Sequence, residues 1–240
     1  MKAQERHHLK QNEFAVTTAR LAGGLAQNRE RIAIAGGVLV LILAIGGGYF
    51  YFNKQSGDRA SAAFGAALRV EQSQVVPAPT LPGATQQAGT FATDQARNEA
   101  AVAAYQKVID AYPNHAAGLA ARYQLAGVYL GMGRAADAAT AYADVASRGG
   151  SSISGAAAKL GQSQALVAQN KYDDAIKILT DLSAQRDSDL PMDGVLMELA
   201  RVCQRAGKTQ DARAAFKRVV DEFPQSGYAG EARQQLATMG

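Results

Sequence analysis

Cysteine is nearly absent from this chain: a single one, Cys203, stands among 240 residues. No internal disulfide can form, so the fold must hold by packing alone. No cysteine follows the apolar run near the N-terminus, so the chain has no site for a lipid anchor there. Histidine is almost as scarce. His7 and His8 are adjacent and would point about 100° apart on a helix, unlike a metal-binding pair four residues apart. The third, His115, follows Pro113-Asn114, where an exposed or helix-capping role is expected. No glycine loop has the spacing that cradles phosphate, no ligands have metal spacing, and no carboxylate pair is aimed into a pocket. The reading is therefore of a chain that is not an enzyme, with no catalytic residue, cofactor or metal. Charge of one sign is also lacking: the net +4 divides into +3 for residues 1–31 and +1 for the rest. A nearly neutral main part without a basic run gives no footprint for nucleic acid.

What is present begins with residues 32–52, IAIAGGVLVLILAIGGGYFYF, bracketed by Arg29-Glu30-Arg31 and Asn53-Lys54. A helix of this length reaches roughly 30 Å, the thickness of a hydrocarbon core, so a membrane span is expected. A cleaved secretory signal is the competitor, but it would have a core of about 7 to 15 residues, a short lead and a small-residue cleavage site close behind. Here the core is longer, and Ala60-Ser61-Ala62 lies beyond Lys54, Asp58 and Arg59. Tyr49 and Tyr51 stand where an aromatic belt meets headgroups. Arg20, Arg29 and Arg31 on one side, against Lys54 and Arg59 on the other, place residues 1–31 in the cytoplasm as a basic tail. That tail is either a helix lying on the membrane surface, through Leu9, Phe14, Leu21 and Leu25, or a loosely ordered segment broken at Gly23-Gly24. The small pairs Ala33/Gly37 and Ala44/Gly48 could let a second span approach.

Beyond the span, residues 53–75 read as a juxtamembrane helix, with Ala60, Phe64, Ala67, Leu68 and Glu71 at helical spacing. Residues 76–92 hold Pro77, Pro79, Pro82, Gly83 and Gly89 and read as a loop. Residues 93–240 are helical and periodic. A period of 37 aligns Ala101, Ala138, Ala175 and Ala212, then Tyr105, Tyr142, Leu179 and Phe216, then Val108, Val145, Leu182 and Val219. A small, a large and a branched residue thus recur at i, i+4 and i+7 on one helix face. A second helix precedes the later copies, with Ala126, Ser163 and Ala200, then Tyr129, Leu166 and Cys203. It ends at Gly133, Asn170 or Gly207, residues that close a helix in the left-handed conformation at little cost. Asp137, Asp174 and Asp211 fall in first turns, where they offset the helix dipole.

These residues resemble the tetratricopeptide repeats. The family's small, Tyr, Ala and Phe positions are matched by Ala126, Tyr129, Ala138 and Tyr142. Its small, aromatic and Pro positions recur as Ala101, Tyr105 and Pro113 and as Ala212, Phe216 and Pro224. The match covers Asn98 to Phe223, with two departures: the period is 37 rather than about 34, and the leading helix of the first copy is missing. Its place is taken by the loop or by the helix at Gly57. Ser226–Met239 looks like a polar capping helix with Leu236 and Ala237 in the core columns. The fold class is therefore all-α, one N-terminal transmembrane helix followed by a helical-repeat solenoid. The whole layout resembles the bacterial inner-membrane proteins of the YfgM type, ancillary subunits of the SecYEG translocon that hold chaperones near emerging substrates. The resemblance implies a single-pass protein whose repeats lie outside the cytoplasm and bind translocon subunits, periplasmic chaperones or envelope-assembly factors. A homo-oligomeric scaffold or a cell-division coordinator is the alternative.

In that family the first helix of each pair lines a concave groove. Carried over, the wall is Tyr123, Leu130, Leu160, Gln164, Val167, Met197, Arg201 and Gln204. It is mostly apolar and lacks the Lys and Asn set that clamps a chaperone's C-terminal carboxylates, because Tyr123 and Gly127 stand at two of those positions. An apolar or helical segment of a protein partner is the expected occupant, unless the helix at Gly57 or the loop covers the surface.

Overall fold

The computed structural model describes residues 29–78, 85–185 and 190–239. The chain divides into two compact units, residues 1–56 and 57–240. In the first, helix α1 (Arg29–Glu71) begins. Most of the tail, residues 1–28, lies outside the described residues, as do the side chains at 29–31 and, within the expected span, those at 32–37, 39, 40, 49, 50 and 52. The side chains that are described, Val38, Leu41, Ile42, Leu43, Ile45 and Tyr51, are each half or more exposed. Among the described residues no helix is long and apolar enough to cross a membrane.

The second unit contains the end of α1 and eight further helices among the described residues: α2 (Asp94–Ala111), α3 (Ala116–Gly131), α4 (Ala135–Gly149), α5 (Ile153–Ala168), α6 (Tyr172–Ser183), α7 (Met192–Arg205), α8 (Thr209–Glu222) and α9 (Ala229–Thr238). From α2 onward each packs chiefly on its neighbours in sequence, and α3 also touches α5, the arrangement of stacked helix pairs. Every member of the three aligned columns is buried, from Ala101, Ala138, Ala175 and Ala212 through Tyr105, Tyr142, Leu179 and Phe216 to Val108, Val145, Leu182 and Val219. Burying a large side chain of this kind stabilises by about 1.5–3 kcal/mol, so the columns are the framework of the fold. The facing small residues Ala126, Ser163 and Ala200 have no exposed surface, and the Ser163 hydroxyl is satisfied by the Leu160 carbonyl at 2.7 Å.

The leading helices α3, α5 and α7 end the same way. Gly133, Asn170 and Gly207 have φ of 74°, 60° and 73°. The next residue's N–H reaches back five residues, Arg134 to Tyr129 O at 2.8 Å, Lys171 to Leu166 O at 2.9 Å and Lys208 to Cys203 O at 2.9 Å. This is the Schellman closure. Thr93 and Ser152 cap the starts of α2 and α5 by accepting from the Ala96 and Gly155 amides at 3.1 and 3.3 Å.

The joints between pairs depend on a column outside the three aligned ones. Gly118 and Gly155, 37 residues apart, sit in the first turns of α3 and α5. A Cβ on Gly118 would run into the Tyr112 carbonyl, and one on Gly155 into the Gly150 carbonyl. These glycines let one helix start directly against the end of the last, leaving only residues 112–115 and 150–152 as connections. At the third joint the column holds Met192, and the connection opens to 184–191. A cleft of ≈ 690 Å³ bordered by Met192, Ser183, Arg218 and Phe223 lies there.

The helix ahead of α2 is the end of α1. Ala60 and Ala67 are buried and Phe64 stacks 6.2 Å from the Tyr105 ring, so of the two candidates for the missing leading helix the segment at Gly57 fills the place. The expected boundary at 75 moves to Glu71, and the connection to α2 spans 72–93. Its ends are joined by Val76 N–H to Phe91 O at 2.9 Å and Phe91 N–H to Gln74 O at 3.0 Å. Residues 79–84 lie outside the described residues. The capping helix differs in register from expectation: Ala229 and Ala232 are its buried residues, Leu236 is partly buried, and Ala237 is exposed.

Candidate partner-binding groove

The eight wall residues fall on α3, α5 and α7, and the structure divides them. Tyr123, Leu130, Leu160 and Val167 are half-buried with accessible surface, and Gln164 is exposed. Met197, expected on the wall, is only 1% exposed and belongs to the core with Phe216, Val195 and Leu196. Other side chains of α7 bond to α9 and to the turn ahead of it. The Arg201 guanidinium grips both Glu231 oxygens at 2.8 Å, Gln204 donates to Gln235 Oε1 at 3.2 Å, and Ser226 donates to Asp193 Oδ2 at 2.6 Å. Arg201 also lies 5.9 Å over the Tyr228 ring, and its hydrogen bond to Glu231 raises its pKa further above the ordinary arginine value. The chain's own last helix therefore takes up Arg201 and Gln204 and closes that end of the predicted wall.

The other end is open. Phe64 of α1, Leu119, Ala120 and Tyr123 of α3, and Ile153 and Ala157 of α5 line a cleft of ≈ 540 Å³. Ile153 keeps 56% of its surface exposed, although it is the first residue of α5 and borders this cleft. The Tyr123 ring stands edge-on to Tyr142, 5.3 Å between centroids at 72°, which fixes the wall against the buried column. Burial, with a smaller contribution from Tyr123, pushes the Tyr142 hydroxyl up to about 12. Among the described residues no Asp, Glu, Lys, Arg or His lines the cleft, and its polar side chains are Tyr123, Gln124 and Ser154. Such a surface suits apolar groups.

Of this lining, the family resemblance supplied Tyr123 alone. The sequence marks Phe64 as a helix position and not as wall, because nothing in it says which helix α1 meets. Ile153, in the stretch GGSSISG, has no helical partner in sequence to betray it. Elsewhere, Cys203 is 1% exposed and burial raises its thiol pKa, consistent with a packing residue. His115 stands at the N-cap of α3 without a side-chain capping bond, its ring edge-on to Tyr112 at 5.9 Å. Among the described residues no three His, Cys, Asp or Glu side chains gather as a metal site.

Comparison with known proteins agrees with this architecture. Two models of the tetratricopeptide repeat match, one over residues 86–115 and the other over 123–191 and 160–227. No curated protein matches the sequence. Among solved structures, the nearly identical TPR-like repeats of a kinesin-light-chain-like protein from Podosopora anserina superpose with a TM-score of 0.56 at 18% identity, over 76% of this chain and 86% of that one. A tetratricopeptide repeat protein from Parabacteroides merdae gives 0.50 at 13% identity, over 61% of this chain and 55% of that one. At these identities the likeness shows the fold alone. With repeat matches over more than half of its residues and the paired-helix fold to go with them, the chain belongs to the tetratricopeptide-repeat proteins.

Proposed function

We propose that this protein is a membrane-anchored tetratricopeptide-repeat adaptor that binds protein partners outside the cytoplasm, at the secretion translocon or the envelope-assembly machinery. Repeats of this kind serve protein–protein interaction, and the observation that carries the reading here is the open, uncharged cleft of Phe64, Leu119, Tyr123 and Ile153. It fits an apolar or helical segment, each large side chain buried contributing roughly 1.5–3 kcal/mol before ordering costs. Anchoring is supported by the outward-facing Leu41, Ile42, Leu43 and Ile45, aliphatic groups that water would not favour at that exposure. The basic tail favours a cytoplasmic N-terminus and repeats on the far side.

The test is light cross-linking of the tagged full-length protein in its native host, followed by membrane isolation and identification of what co-purifies, for wild type and for Ile153→Glu. Ile153 is exposed enough that the charge leaves the core intact. Recovery of translocon subunits or exported-protein chaperones, lost in Ile153→Glu, is the expected result. Recovery of the protein only as a multimer, from both forms alike, would replace the adaptor by a homo-oligomeric scaffold. Recovery from the soluble fraction would remove the anchor.

A further inference from the structure

The α1 segment from Gly57 to Glu71 occupies the place of a leading helix, but it fills that place thinly. Only Ala60 and Ala67 are fully buried, while Phe64, Leu68 and Val70 keep accessible surface. By contrast α7, the leading helix of the last pair, buries Val195, Leu196, Met197, Leu199 and Val202. Apolar clefts border the segment on two sides. One is the ≈ 540 Å³ cleft that Phe64 shares with Tyr123, and the other, ≈ 560 Å³, lies between Ala63, Ala67 and Val70 of α1, Ala100 and Ala104 of α2, and Tyr112 just past its end. The tether differs too. The other leading helices connect to their partners through 132–134, 169–171 and 206–208, this one through 72–93.

The segment also ends on a carboxylate. Glu71 is the last residue of α1, where the negative end of the helix dipole disfavours it. The group that offsets this is the Tyr105 hydroxyl, which donates to Glu71 Oε2 from a residue with no exposed surface. Phe64, tilted against the same ring, completes the contact. We propose that residues 57–71 form a movable wall of the groove, latched to the first repeat through Tyr105 and released as a unit. Few buried contacts and a long tether are what set apart a segment that opens before the rest of a domain. Release carries Phe64 away from Leu119 and Tyr123 and widens the cleft. The regulatory meaning of this motion rests on the reading of that cleft as the partner site.

Hydrogen exchange of the full-length protein in detergent micelles, read by mass spectrometry, tests the latch. Amides of 60–71 are expected to exchange ahead of those in α3 to α8. Tyr105→Phe, which keeps the ring and removes only the hydroxyl, is expected to speed them about tenfold or more while α5 to α8 stay unchanged, since a hydrogen bond to a charged group is lost. Glu71→Gln keeps an acceptor and gives a smaller increase. A common rate for 60–71 and α3 to α8, or an equal acceleration of every helix in Tyr105→Phe, would overturn the proposal. Partner capture plays no part in this readout. An intact exchange pattern with capture that Ile153→Glu leaves unchanged would remove the groove reading alone.

Discussion

Gly155 and Gly161 show how much of this fold turns on single missing methyl groups. A Cβ at 155 would strike the backbone of Gly149 and Gly150, and one at 161 would stand 2.6 Å from the Tyr142 ring. A backbone obstacle cannot swing aside as a ring edge can. Gly155→Ala is therefore expected to cost at least about 1–3 kcal/mol, and Gly161→Ala less, as a thermal scan of the two variants beside wild type would read out. Equal melting temperatures for wild type and Gly155→Ala would contradict the close joint. Tyr142 itself sets a limit at high pH. Its hydroxyl, held neutral up to about 12, ionises near 10 once the chain unfolds. Its contribution is fully present below about pH 10 and is lost as pH rises from about 10 to about 12. Urea midpoints at pH 9 and pH 11.5 should fall further in wild type than in Tyr142→Phe.

Among the elements, α9 carries the sharpest expectation. It shields the last apolar face with Ala229, Ala232 and Leu236, while its ion pair, Glu231 with Arg201, is more than a third exposed on both sides and is worth no more than about 1 kcal/mol. Deleting residues 224–240 should cause association detectable by size-exclusion chromatography and lower the melting temperature. Glu231→Ala alone should leave both nearly unchanged. The same helix marks where the sequence stops being legible. The twelve column residues could be read from a period of 37, because each copy buries the same face in the same way. Met197 could not, because it shares a column with Tyr123 and Leu160, which keep accessible surface, while Met197 itself is buried. Gly133, Asn170 and Gly207 announced their closures by residue type, as left-handed positions do. Gly118 and Gly155 did not, since a glycine inside a helical pattern reads as a weakness until the carbonyl it avoids is known. For the groove, Tyr123 came with the repeat, whereas Phe64 and Ile153 depend on which distant segments meet.

At the scale of the whole repeat unit the apolar interior, among the described residues, is three clusters in series, around Tyr105, around Tyr142 and around Phe216. Tyr129 packs against both the first and the second, and Ala139 against both the second and the third. With no disulfide to bind one end to the other, each cluster relies on its neighbours, which is the energetic logic of a linear array. The joints between copies are where that array is not uniform. Residues 118–154 begin with a glycine that seats against the preceding helix, and they are followed by another, Gly155. A tandem duplication of that stretch would reproduce a native joint at its own seam, so the solenoid could lengthen by a copy without inventing a new contact. Residues 155–191 have no such freedom, because they end in the wide joint before Met192. Growth of this protein by gene duplication thus has a preferred place of insertion, written into one column of glycines.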